Sequence, residues 1–143
     1  CGWLVIEGLR HANRNHTTSI KMNRPHITSQ ITWIYTNDLA HTSRFYEKDL
    51  GLKLVIDEGA ARIFQVSSTA QIGICTAFED RVVEPKGTMI TLVTDQVDEW
   101  YSQLIENGVE PECAPHVIKE FNIYTFFVQD PNSYVIEIQQ FLD

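Results

Sequence analysis

Few side chains here could do chemistry by spacing alone. Cys113 and His116 could form a thiolate–imidazole pair, but three residues apart on a strand they should point to opposite faces. Cys75, inside an apolar run, reads as a small buried hydrophobe. His41 falls in the first turn of a helix and should be exposed. His26 precedes the first strand and reaches a cleft only if the preceding arm folds over it. His11 and His16 sit in a polar, period-free stretch and should be solvated. An odd count of three cysteines, widely spaced, gives neither a disulfide framework nor paired zinc-binding thiols, and points to a reducing, cytoplasmic compartment. No catalytic residue emerges from this set.

Another kind of chemistry is written in the strands. Ile31, Trp33 and Tyr35 alternate along one run, and Met89, Thr91 and Val93 along another. Each trio lies on one face. Facing inward together, they would line an apolar, aromatic cleft suited to stacking on a planar or hydrophobic ligand, with Met89 as an adaptable wall.

Charge narrows the partners. The chain has 143 residues and a formal charge of -8. A nucleic-acid binder needs a basic face to displace counterions, and here Lys and Arg are scattered. No apolar run approaches the roughly 20 residues that span a bilayer. The length suits one domain with a real core.

The elements that position these residues come in two sets. Residues 1–27 read as an arm, with Met22 as a natural start and 1–21 as upstream sequence; 28–143 read as one domain. Residues 30–36 alternate as a strand, and Asn37-Asp38 supplies a helix cap. A helix over 39–50 turns Leu39, Phe45, Tyr46 and Leu50 inward and stops at Gly51. Strands follow at 52–57, 61–67 and 71–78, the first two joined by a Glu58-Gly59 hairpin. A charged linker, 79–87, leads to a strand at 88–93. A helix capped by Asp95 follows, with Val97, Trp100 or Tyr101, and Leu104 inward, ending at Gly108. A weak strand lies near Pro115 and His116, and stronger ones cover 124–129 and 134–140, joined by a type I turn at Asp130-Pro131-Asn132-Ser133.

That is βαβββ twice, in modules of 30–78 and 88–140, with helices offset by about 58 residues. Each four-stranded sheet has a helix on one face only. The class is therefore α+β: two βαβββ modules in tandem, with curled mixed sheets facing a central cleft, where small ligands bind.

Two segments carry a family resemblance. Thr36-Asn37-Asp38-Leu39 with Phe45-Tyr46-Glu47-Lys48-Asp49-Leu50-Gly51-Leu52 resembles the opening of vicinal oxygen chelate (glyoxalase/bleomycin-resistance) proteins. Asp130 through Glu137 resembles their closing segment, with Ser133 where Gly is usual. The resemblance implies four inward ligand positions for a divalent ion, one on each of four strands. They fall at Ile31, at Met89, near Gly73 or Ile74, and at Glu137.

Only Glu137 could coordinate. Ile has no donor atom, and a Met thioether suits hard divalent ions poorly. A one-residue slip of register would turn the apolar set to the wrong face. In a dry cleft the Glu137 carboxylate must be protonated, paired or hydrogen-bonded, with Tyr35, Thr91, Trp33 or water as partners.

The reading is a metal-independent, cofactor-free binding protein of glyoxalase/bleomycin-resistance type. Glu137, Trp33, Tyr35, Met89, Thr91 and Ile31 contact a small organic ligand, planar aromatic or cationic, and the protein works as a homodimer. The alternative is a metal-dependent lyase, isomerase or dioxygenase of the same superfamily with an atypical site.

Overall fold

The computed structural model describes residues 23–143. The expectations for residues 1–22, including His11, His16 and the start at Met22, lie outside the described residues. The first module runs β1 (Gln30–Thr36), α1 (Leu39–Arg44), a π-helical turn (Phe45–Asp49), β2 (Lys53–Asp57), β3 (Ala61–Gln65) and β4 (Ala70–Thr76). The second runs β5 (Met89–Val93), α2 (Val97–Glu106), β6 (His116–Ile118), β7 (Ile123–Gln129) and β8 (Val135–Phe141), after a short 3-10 turn at Pro85–Gly87.

The sheets share one topology. Their orders are β1-β4-β3-β2 and β5-β8-β7-β6. In each, the first strand pairs parallel with the last, and the other pairings are antiparallel. The two βαβββ modules and their mixed sheets are therefore present as the repeat implied.

Alternation fixes the faces. Ile34, Ile72, Ile74 and Phe64 point to the helix side of the first sheet, where they pack with Phe45, Tyr46 and Leu50. Ile90, Ile136, Ile138, Phe126 and Val128 do the same in the second sheet, against Val97 and Leu104. Both sets belong to one continuous buried cluster. Burying a side chain of this size contributes roughly 1.5–3 kcal/mol.

The first helix departs from regularity. Its N-cap is Asp38, whose carboxylate accepts from the His41 amide, and His41 is exposed, as expected. After Arg44 the chain widens into the π-helical turn, in which the Leu50 amide donates to the Phe45 carbonyl at 2.9 Å. The wider turn lets the consecutive rings of Phe45 and Tyr46 both enter the core, edge to face at 5.2 Å. Gly51 then takes φ +70, a left-handed stop open to glycine. The second helix corrects an expectation. Its N-cap is Gln96, without a side-chain bond, while Thr94 rather than Asp95 accepts the first amide. Trp100 and Tyr101 are both half-buried, so the inward face holds the pair rather than one of them.

The modules are joined by their signature segments. Tyr46 donates its hydroxyl to Asp130 Oδ2 at 2.8 Å, while Asp130 Oδ1 accepts from the amides of Asn132 and Tyr134. Burial pushes the Asp130 carboxyl above its usual range, against these hydrogen bonds. Burial, then the neighbouring Asp130 charge and hydrogen bond, raises Tyr46 well above an ordinary phenol. Around them, Asn132 Oδ1 accepts from Thr36, and Asn132 Nδ2 donates to Thr42. Sequence reasoning took the FY and DP segments as family markers and missed that they touch.

Candidate functional site

Register decides what stands on the helix-free faces. Across β1 and β4, Ile31 pairs with Gln71, Trp33 with Gly73, and Tyr35 with Cys75. Across β5 and β8, Met89 pairs with Val135, Thr91 with Glu137, and Val93 with Gln139. Paired residues share a face, so all six expected lining residues lie on the faces turned from the helices. The register left open on β4 is fixed: Gly73 lies on this face, and Ile74 is fully buried in the core.

The outer strands are exposed. Ile31 is 38%, Trp33 39%, Met89 50% and Val93 62% exposed, while Tyr35 and Thr91 are half-buried. Tyr35 meets the exposed ring of Phe78 edge to face, with centroids 6.4 Å apart. The sequence placed Phe78 at the end of a strand over 71–78, but β4 ends at Thr76 and Phe78 instead bridges to Arg81 beyond it.

Trp33 lies flat across Gly73. A Cβ at Gly73 would fall 2.4–2.6 Å from three carbons of the indole, a separation that real Cβ atoms do not show. Glycine is there for space, since its φ is ordinary. Next along the same face, Gln71 Nε2 donates to Gln65 Oε1 at 3.3 Å. The Gln71 carbonyl oxygen is buried and accepts nothing from the described residues.

The second module treats its carboxylate differently. Glu137 is buried, with Oε1 accepting from the Thr91 hydroxyl at 2.8 Å. Its Oε2 lies 3.1 Å from the Thr125 hydroxyl, which also reaches the Ile138 carbonyl at 3.0 Å. A hydroxyl has one proton, so Thr125 serves one acceptor at a time. Thr91 was an expected partner and Thr125 was not. Thr125, Phe127 and Gln139, on the same face, are buried as well.

A divalent ion does not fit these side chains. Of the four positions in question, Ile31 and Gly73 bring no donor, Met89 brings a soft thioether, and the indole covers the space above Gly73. Among the described residues, no three of His, Cys, Asp and Glu group as a metal site.

The remaining candidates are corrected in detail. Cys113 sits in a bend before β6 rather than on a strand, so its sulfur reaches 3.7 Å from His116 Nδ1 instead of the opposite face. Cys75 is a free thiol and half-buried, not fully enclosed. A shallow depression of about 480 Å3 lies on the other side of the molecule, between Phe45, Asp49, Val109, Glu110 and Asp130. Asp130 on its rim is already engaged by Tyr46 and two backbone amides.

The sequence from residue 23 to 138 matches the model of the Glyoxalase/Bleomycin resistance protein/Dioxygenase superfamily. The chain belongs to this superfamily. Solved structures align over most of its length. A glyoxalase/bleomycin resistance protein/dioxygenase from Nocardioides has 19% identity and a TM-score of 0.69, covering 87% of this chain and 88% of its own. A lactoylglutathione lyase from Agrobacterium tumefaciens has 19% identity and a TM-score of 0.66, covering 81% and 95%. A virulence protein from Salmonella typhimurium has 20% identity and a TM-score of 0.65, covering 85% and 100%. At these identities the likeness is one of fold. No curated protein matches the chain. Among the described residues no helix is long and apolar enough to cross a membrane.

Proposed function

We propose that this superfamily member is a small-molecule binding protein that works without a metal. It takes a planar aromatic or cationic ligand onto the helix-free face around Trp33, with Ile31, Tyr35, Met89 and Thr91 beside it and Glu137 as the anionic wall. The observation that carries this reading is the exposed indole lying across Gly73, where the superfamily's chelating members would need a donor. A flat, half-exposed aromatic plate with an apolar border favours stacking. The buried carboxylate, held by two hydroxyls and no cation, adds attraction for positive charge. In this reading the protein acts as a cytoplasmic homodimer.

The superfamily also includes lyases and dioxygenases, and Glu137 is the one feature favouring a metal-dependent enzyme. Metal analysis of the purified protein, with thermal denaturation against Zn, Ni, Mn and Fe, separates the two. The binding reading expects substoichiometric metal and unchanged melting. It also expects planar aromatic cations to raise stability by RT ln(1 + [L]/Kd), about 2.7 kcal/mol at a hundredfold excess over Kd. One ion per chain, lost on Glu137→Gln, would sink it. Light scattering at micromolar concentration should give a dimer, and a monomer would remove the homodimer from the proposal.

A further inference from the structure

We infer that Gly73 is the specificity-determining position of the helix-free face around Trp33. By leaving its place on β4 bare it seats the Trp33 indole flat on the sheet, and the plate so formed selects flat aromatic ligands where a chelating side chain would otherwise stand. The inference deepens the binding reading and rests on it.

The geometry is the argument. Gly73 and Glu137 occupy matching places in the two modules: each is on the last strand, paired with a residue of its parallel partner strand, Trp33 in one and Thr91 in the other. In the second module the last strand supplies the long side chain and the first strand a small hydroxyl. In the first module the order is reversed, with bulk from β1 and none from β4. Any side chain at Gly73 meets the indole at once, because even its Cβ would stand 2.4 Å from the ring. The neighbours cannot absorb that overlap by backbone movement, since β4 is bonded on both edges, to β1 and β3. The indole must leave. Its exit is away from the sheet into solvent, where its 39% exposure shows there is room. A ring tipped upright would present an edge in place of a face, and would occupy the space a stacked ligand needs. Gly73 thus fixes the orientation of the plate.

The test uses the full chain and proflavine, a planar aromatic cation, titrated by calorimetry and by quenching of tryptophan emission. Wild type should bind. Gly73→Ala and Trp33→Ala should each weaken binding by about tenfold, and Gly73→Ala made in the Trp33→Ala background should add nothing, since the ring it collides with is gone. Independently of ligand, Gly73→Ala should shift the indole N–H resonance assigned to Trp33 by its loss in Trp33→Phe. If Gly73→Ala alone fails to fold, the double variant should recover folding. Equal proflavine affinity in wild type and Gly73→Ala, an unmoved Trp33 resonance, or a double variant that also fails to fold would each overturn the inference while leaving the binding reading standing. A wild type that binds no proflavine overturns both.

Discussion

The two modules build the same sheet and fill it in opposite ways. In the first, the side chain crossing from strand to strand comes from the edge strand: Trp33 reaches over Gly73. In the second it comes from the interior strand: Glu137 reaches toward Thr91. Their surroundings differ in the same sense. Trp33 keeps 39% of its surface exposed, whereas Glu137 keeps 5%, with Thr125 and Phe127 buried around it. A repeated backbone therefore conserves positions but not the direction in which they are filled. One half makes a soft, open surface, and the other a buried carboxyl group held by hydroxyls.

Exchanging the two arrangements tests how separate they are. Thr91→Trp with Glu137→Gly copies the first arrangement into the second module, where no open space receives the ring. Overpacking and loss of the hydroxyl–carboxylate bonds should cost about 4 kcal/mol or prevent folding, read from urea midpoints. Near-wild-type stability would show that the buried half is as open as the other. The reverse exchange, Trp33→Thr with Gly73→Glu, enters the open half. It should cost only about 2 kcal/mol, from the lost contact of the indole with the sheet.

Glu137→Gln is gentler, since an amide oxygen can still accept from Thr91. A change under about 1 kcal/mol is expected, whereas a large loss would mean that the charge itself holds the second face together. The joint belongs to neither half and serves as a control with its own pH signature. Burial raises the carboxyl of Asp130 above its unfolded value. Its contribution is therefore complete below the ordinary aspartate range and is lost as pH rises through the elevated folded value. The difference in urea midpoint between wild type and Asp130→Asn should shift in favour of wild type as pH falls from 7 toward 4. A pH-independent difference would show that the hydrogen bonds from Tyr46 and the two amides cancel the effect of burial, and a shift the other way that they outweigh it.

Much of this architecture was legible because period-2 alternation and glycine punctuation are local signals. β1 was expected and found at residues 30–36, and the positive-φ glycines Gly51, Gly59 and Gly108 fall where the helices and hairpin were ended. Ser133 also takes a left-handed φ of +71, which explains why glycine is usual there. What the sequence hid was set by distance in space. The bond from Tyr46 to Asp130 spans 84 residues, and no window of sequence contains both. The seat under Trp33 was hidden for another reason: an absent side chain leaves no pattern. Gly73 could have been recognised only by knowing which residue lies beside it, and that requires the register of β1 on β4. Cys113 misled because its weak strand begins three residues later, at His116, so strand geometry did not apply to it.

The parallel pairing of the first and last strand in each module also has a consequence in time. Among the described residues, β1 is bonded along one edge only, by β4, and β5 only by β8. A ribosome must therefore deliver about 40 further residues before either opening strand gains its partner, and such non-local closures are slow. Until then Trp33 and Ile31, and later Met89 and Val93, belong to an unpaired edge of the kind that invites misassociation. The second closure waits for residues 135–141. The faces that carry Trp33 and Met89 thus stay unassembled until the last strand of their own module is made, and need shielding before it is.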